Sequence, residues 1–361
     1  MRKLFNSLFG RSTSKQTLTI QPQDVTLELS SGQTLLEAAL ENGIPYPHNC
    51  TVGTCGSCKT RLKEGRVTAV SDFGYVLSKQ ELDAGYILAC QAVAQDALTV
   101  VEIADPAANA FPPKTVEGRI AATELLTHDI MKVLVELAEP LDYLAGQYAT
   151  IRTKDVSGGR HYSFADAPVR GGRTHVSFFI RKVPGGAFTE LLFSGQLQDR
   201  SLSVEAPYGG FYLRPGNAPM LCVAGGSGLA PLISLLEDAR KHRIRRSCTL
   251  LFGARTQADL YLLEQIADLK KAWPDPFEFI PVLSHEPAGS SWTGKRGLVT
   301  DFFEGSIDGD KWSTSEAYMC GPPGMIDAGI AHLTGLGMSL DAIHYDKFTD
   351  AKTAGAVDIA A

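Results

Sequence analysis

At 361 residues, with 44% hydrophobic and 20% charged side chains, the chain has the balance of a globular protein of two or three domains. A formal net charge of −6 argues against a general nucleic-acid binder, which carries a basic excess. No apolar run reaches the roughly 18 residues that suggest a membrane span, and seven cysteines, an odd number behind no secretion signal, fit a reducing cytoplasm better than a disulfide framework.

The charge is unevenly spread. Residues 1–15 carry Arg2, Lys3, Arg11 and Lys15 and no acid, and read as a basic tail rather than a membrane-surface contact. Residues 16–105 hold five Lys/Arg against eleven Asp/Glu and should present an acidic face. Alternation in "TLTIQPQDVTLEL" predicts a hairpin, and apolar positions at helical spacing in "QTLLEAALENG" predict a helix stopped by glycine. A linker at 106–115, within the proline-rich "ADPAANAFPPKT", ends the segment. Residues 116–216 then supply six short strands ("EGRIAATEL", "IMKVLVEL", "QYATIRT", "HYSFADA", "HVSFFIRKV", "LSVEAPYGGF"), the pattern of an antiparallel barrel. After "LRPGNAP", residues 217–361 alternate strands and helices, including a helix over "DLYLLEQIADLKK", as a parallel α/β sheet does.

Between the first helix and the linker lies "CTVGTCGSCK" (50–59). Cys50, Cys55 and Cys58 stand in C-x4-C-x2-C spacing, and Cys90 in "YILACQA" follows 32 residues later. Two sulfide-bridged irons need four thiolates on two sides, and a tight loop can deliver three of them. Gly53 and Gly56 let backbone N–H groups turn toward the sulfurs. Structural zinc is the alternative, although zinc sites usually pair their thiols two and two. His48 beside the loop reads as a solvent-side residue. Residues 16–103 resemble a plant-type [2Fe–2S] ferredoxin, which implies a β-grasp-like α+β fold with Cys50, Cys55, Cys58 and Cys90 as metal ligands.

In the barrel segment, "RHYSF" (160–164) matches the R-x-Y-S motif of the ferredoxin–NAD(P)H reductase family of flavoproteins. The resemblance implies that Arg160 binds the FAD pyrophosphate, Tyr162 stacks on the isoalloxazine and Ser163 sits near its N5. A surface arginine beside a core tyrosine is the bland reading of the same letters. "VPGGAFTEL" (183–191) adds Gly185, Gly186, Phe188 and Thr189 where a helix N-terminus could hold the pyrophosphate. "VAGGSGLAPLISLLE" places Gly225, Gly226, Ser227, Gly228, Ala230 and Pro231 at a strand-to-helix turn, where an α/β sheet receives a dinucleotide phosphate. It is the family's G-G-[ST]-G-x-A-P form, not G-x-G-x-x-G. In "CGPPGMID", the resemblance sets Cys320 beside the nicotinamide, with Gly321 and Pro322 shaping its pocket. Cys222 and Cys248 read as ordinary buried cysteines. "IHYDKF" resembles the family's last strand, with Phe348 covering the flavin. Asp346 stands where a glutamate is usual, and thirteen residues follow Phe348. The implied catalytic group is Ser163, Cys320, Asp346 and Phe348.

Three sites in this order make a circuit. Nicotinamide delivers two electrons together, a cluster accepts one at a time, and a flavin stands between. Over nearly its whole length the chain resembles the reductase components of bacterial multicomponent oxygenases, and "LFGARTQADLYLLEQI" looks most like those of xylene/toluene side-chain monooxygenases. This implies electron flow from NADH through FAD and [2Fe–2S] to a separate oxygenase or hydroxylase, which can be a membrane-bound di-iron enzyme. It also implies a cytoplasmic monomer, peripheral at the inner membrane through that partner. Arg255 could welcome the 2′-phosphate of NADPH. NADH is nevertheless expected, because "GAR" resembles NADH-using members and no second basic residue follows before Lys270. Other readings are a reductase of a Rieske dioxygenase or soluble di-iron hydroxylase, and a stand-alone flavin oxidoreductase or electron carrier. No 2-His-1-carboxylate group, Rieske pattern or nucleophile elbow marks a site for the organic substrate.

Overall fold

The structure, a computed structural model, describes residues 15–48, 51–54, 56–103, 111–307 and 309–348. The basic arm before Lys15, Cys50 and Cys55, linker residues 106–110 and the tail after Phe348 lie outside the described residues. The chain divides into two compact units, Met1–Pro106 and Ala107–Ala361.

In the first unit, β1 (Gln16–Gln21) and β2 (Val25–Leu29) form the expected hairpin, with Leu18 opposite Leu27. Alternation turns Leu18, Ile20 and Leu27 to one face, where they are buried. Helix α1 (Leu35–Glu41) starts at a reciprocal cap: the Thr34 hydroxyl accepts from Glu37 N at 3.2 Å, and the Glu37 carboxylate accepts from Thr34 N at 2.9 Å. The remaining elements are β3 (Lys59–Glu64), β4 (Val67–Ala69), α2 (Lys79–Asp83), β5 (Tyr86–Leu88), β6 (Ala92–Ala94) and β7 (Leu98–Ile103). The sheet runs β2-β1-β7-β3-β5, with β1 and β7 parallel and the other pairs antiparallel. Leu35, Leu36, Ala38 and Ala39 of α1 share one apolar core with the sheet and with Leu88, Ala89 and Cys90. Helix packed on a mixed sheet is the expected β-grasp-like arrangement.

The second unit opens with β8 (Lys114–Leu125), β9 (Ile130–Leu141), β10 (Tyr148–Thr153), β11 (Val156–Ser163), β12 (Arg173–Arg181), α3 (Ala187–Phe193) and β13 (Ser201–Tyr208). The antiparallel order is β11-β10-β13-β8-β9-β12. A bridge from Phe164 to Phe178 joins its two ends and closes the barrel. Val133, Val135, Ile151, Phe164, Phe178 and Val204 fill the interior.

Next come β14 (Met220–Gly225), α4 (Leu229–Lys241), β15 (Cys248–Ala254), α5 (Leu263–Ala272), β16 (Phe277–Leu283), β17 (Lys295–Arg296), β18 (Glu316–Gly321), α6 (Pro323–Gly335) and β19 (Ile343–Lys347). The sheet is parallel, ordered β17-β16-β15-β14-β18-β19, and every residue of β14 is buried, as a strand covered on both faces requires. Strand order reverses between β14 and β18, the crevice where such sheets bind ligands. The helix expected over "DLYLLEQIADLKK" begins only at Leu263. Leu262 is left-handed at φ 57°, and the Tyr261 hydroxyl is tied to Gly226 O at 2.9 Å, so the preceding residues run as an anchored loop. Arg246, 1% exposed, holds "LRPGNAP" to this sheet: its guanidinium donates to the carbonyls of Ala218 and Arg214 and pairs with Glu316 at 2.8 Å.

Candidate active site

The first unit brings together two of the four candidate thiols. Cys58 directly precedes β3, and Cys90 lies in the short turn between β5 and β6. Both are buried, and the Cys90 backbone N–H donates to Cys58 Sγ at 3.5 Å. A backbone donor aimed at a buried cysteine sulfur suits a thiolate, so these residues fit a bound cluster. Gly53 and Gly56, at φ 81° and 71°, occupy left-handed conformations that favour glycine. A Cβ at Gly53 would lie 2.7 Å from Gln91 Cγ, so the loop lies flat on that side chain. Gln91 donates to Thr51 O at 3.2 Å and Cys90 O at 2.9 Å and accepts from Ser71 Oγ at 2.9 Å. It thereby staples the cysteine loop to the turn that carries the fourth cysteine. Half-buried His48 sets its Nδ1 2.7 Å from Tyr46 O.

In the second unit, β11 ends at Ser163, 4% exposed, whose hydroxyl donates to Asp346 Oδ2 at 3.1 Å. Asp346 lies on β19 directly across from Cys320 on β18, and Phe348 N donates to Gly321 O at 2.9 Å. Half-buried Phe348 packs on the core that contains Cys320. The four residues of the implied catalytic group therefore meet at the C-terminal edge of the parallel sheet. Desolvation pushes the Asp346 carboxyl up to about 7, against the opposing pull of its Ser163 hydrogen bond. Burial, and then the neighbouring Asp346, push the Cys320 thiol well above its ordinary value, so it stays neutral.

Arg160 and Tyr162 share a face of β11 by alternation. The Arg160 guanidinium folds back on Gly159 O at 3.0 Å and Ser157 O at 3.3 Å. The Tyr162 ring lies 5.7 Å from that of Phe188, itself buried in α3. The Thr189 hydroxyl is engaged inside its own turn, accepting from Val183 N at 3.1 Å and donating to Val183 O and Gly186 O. Gly185, at φ 73°, faces open space.

The glycine turn after β14 is pressed against the end of β18. A Cβ on Gly228 would sit 2.2 Å from Cys320 O, and one on Gly225 2.8 Å from Met325 Sδ and 2.9 Å from Pro322 Cδ. Gly226 through Gly228, including buried Ser227, form a 3-10 turn that runs into α4, whose first turn has no side-chain cap. Ala230 and Pro231 in that turn are buried. Uncapped N–H groups at a helix start beside close-packed glycines are the donors a phosphate uses. Arg255 follows β15 and pairs with Asp259 at 3.2 Å and with Asp129, from the β8–β9 turn, at 2.9 Å. Sequence reasoning missed Asp129, Gln91, Tyr261 and Arg246, whose partners are distant in the chain. The glutamine directly after Cys90 was the one local signal.

Family models match residues 18–95 as a 2Fe-2S iron-sulfur cluster binding domain, 117–212 as an oxidoreductase FAD-binding domain and 222–329 as an oxidoreductase NAD-binding domain. The xylene/toluene monooxygenase electron transfer component XylA of Pseudomonas putida is 39% identical, with 96% of this chain and 98% of that protein covered. The reductase component of naphthalene 1,2-dioxygenase of Pseudomonas putida is 36% identical, with 92% and 98% covered. Among solved structures, the Amycolatopsis cytochrome P450 reductase GcoB is similar at TM-score 0.69 and 33% identity, over 93% of this chain and 99% of that one. The chain belongs to the family of iron–sulfur flavoprotein reductases that serve as electron-transfer components of multicomponent oxygenases.

Proposed function

We propose that this chain oxidises NADH and passes the electrons singly through its [2Fe–2S] cluster to a separate oxygenase, of the type that hydroxylates aromatic side chains. The observation that carries the reading is the meeting of Ser163, Asp346 and Cys320 across 183 residues, at the edge where the barrel faces the nucleotide crevice. When bound, FAD supplies the exchange between paired and single electrons that a nicotinamide and a cluster need. Arg160, Tyr162, Phe188, Thr189, Gly185 and Gly186 would hold it, and Phe348 would cover it. Ser163 donates at one end of the site, and Asp346, ionising near neutral pH, can take up or release a proton there. Neutral Cys320, Gly321 and Pro322 shape the nicotinamide pocket without adding charge, while the turn at Gly225, Gly226, Ser227 and Gly228, with Ala230 and Pro231, presents backbone donors to the phosphates. Cys50, Cys55, Cys58 and Cys90 would ligate the cluster.

The side-chain monooxygenase type rests on the 39% identity to the xylene/toluene component, against 36% and 32% for the naphthalene dioxygenase and Mycolicibacterium smegmatis propane monooxygenase reductases. A membrane-bound di-iron partner, a monomeric state and a cytoplasmic location are parts of the same reading. No helix among the described residues is long and apolar enough to cross a membrane. The test is Cys90→Ser. The variant should lose the cluster's plant-type EPR signal and keep FAD. Its NADH-driven reduction of cytochrome c, salt-sensitive in the wild type because the ferredoxin segment is acidic, should collapse, while ferricyanide reduction persists. Wild-type cytochrome c rates in the variant would remove the cluster from the path.

A further inference from the structure

Arg255 poses a problem of selectivity. It follows the second strand of the parallel sheet, where doubly wound folds recognise the adenosine ribose, and a free guanidinium there would favour a 2′-phosphate. It is not free. Its Nη2 pairs with Asp259 at 3.2 Å and reaches across to the barrel, where it pairs with Asp129 at 2.9 Å. The two carboxylates are only 16% and 11% exposed, against 45% for the arginine, so the acids are the fixed members of the group.

We propose that Asp129, on the barrel, is the residue that turns the nucleotide site against a 2′-phosphate, by holding the Arg255 guanidinium between itself and Asp259. The inference rests on the reading of the crevice as a nicotinamide nucleotide site. Asp129 is itself built in: Arg181 pairs with it at 3.0 Å, and the Thr127 hydroxyl donates to its Oδ1 at 3.1 Å. Asp259 is fixed in turn by Thr256, through its backbone N at 2.9 Å and its hydroxyl at 3.0 Å. His128 completes the ring, with Nδ1 3.5 Å from Asp259 and Nε2 3.4 Å from Arg255. Two arginines thus face two carboxylates, and their formal charges cancel. An arriving phosphate dianion finds no uncompensated charge and two carboxylates beside it. An unphosphorylated ribose can donate its hydroxyls to those same carboxylates. Partial burial works against ionisation at Asp129, but Arg181, Thr127 and Arg255 outweigh it and keep the carboxyl below its usual range.

The test is calorimetric titration of the holoprotein with 2′,5′-ADP and with 5′-ADP, alongside kcat/KM for NADPH and NADH. Asp129→Asn should tighten 2′,5′-ADP about tenfold relative to 5′-ADP, the worth of one charge-assisted bond released to the phosphate. The kcat/KM ratio of NADPH to NADH should rise in step. Adding Arg255→Leu to that variant should abolish the gain. Arg255→Leu alone should leave 2′,5′-ADP affinity within about twofold, because a compensated charge adds little. An unchanged ratio in Asp129→Asn, a gain that survives in the double variant, or a tenfold loss in Arg255→Leu alone would each overturn the proposal. If wild-type protein binds neither ADP, the nucleotide-site reading itself fails, and the proposal with it.

Discussion

Replacing Gly228 with alanine places a methyl group where the structure has backbone. The new Cβ would lie 2.2 Å from Cys320 O, 2.5 Å from Cys320 C and 2.9 Å from Gly321 N, where ordinary contact begins at 3.4 Å. Neither neighbour is the tip of a flexible side chain. Cys320 is held in β18 between its paired neighbours β14 and β19, and Gly228 leads into buried α4, so the two backbones must part by roughly 1 Å in a close-packed interior. Overpacking of this kind costs about 1–3 kcal/mol, which lowers the melting temperature by about 3–10 °C for a domain of this size. The same movement carries Cys320 and Asp346 away from Ser163, so NADH-driven ferricyanide reduction should fall further than stability does. Gly324→Ala is the control: it lies in α6 with nothing within 4 Å of its Cβ, and the change should be neutral or add up to about 1 kcal/mol. Differential scanning fluorimetry and steady-state rates read both outcomes. A Gly228→Ala protein with wild-type melting and turnover would refute the close approach of the glycine turn to β18.

For Asp346, the carboxyl ionises at about 7 when folded, against 3.8 in the unfolded chain. Its contribution to stability is therefore full below pH 4 and is lost as pH rises to about 7. Asp346→Asn removes that loss, so the variant's stability advantage should grow from pH 5 to about pH 7 and then level off, by at most about 3 kcal/mol, two units at 1.36 kcal/mol each; a gap that does not change with pH refutes it. Arg246→Met should cost about 3–5 kcal/mol in chemical denaturation, because Glu316 loses its cationic partner and keeps the Tyr318 hydroxyl, while the carbonyls of Ala218 and Arg214 lose the guanidinium donor. Adding Glu316→Gln should recover part of the loss, and a cost under about 1 kcal/mol would show the pair to be dispensable.

How much of this was legible in the chain depends on where each interaction closes. The hairpin of "TLTIQPQDVTLEL" and the capped helix after Thr34 are set by alternation and by a partner three residues away, so local sequence carries them. Five of the six barrel strands and the switch to strand–helix alternation near residue 217 were legible for the same reason, whereas the strand expected over "HYSFADA" runs Val156–Ser163, where two glycines break the apolar alternation. The start of α5 was not, because Leu262 takes a left-handed conformation that its side chain does not announce, and Tyr261 is held by Gly226 from another segment.

The three-thiol loop and the glycine turns were readable because each is set by residues within about a dozen positions, and the fourth thiol and the order of the three cofactor segments because each carries its own local motif. That Ser163 meets Asp346, that Gly228 lies against Cys320 and that the charge of Arg255 is answered by Asp129 from the barrel follow from the packed fold alone. Those contacts join residues roughly 90 to 180 positions apart. They exist because closing the barrel and packing it on the parallel sheet bring strand ends from two layers to one edge, a consequence of core burial that no local spacing encodes.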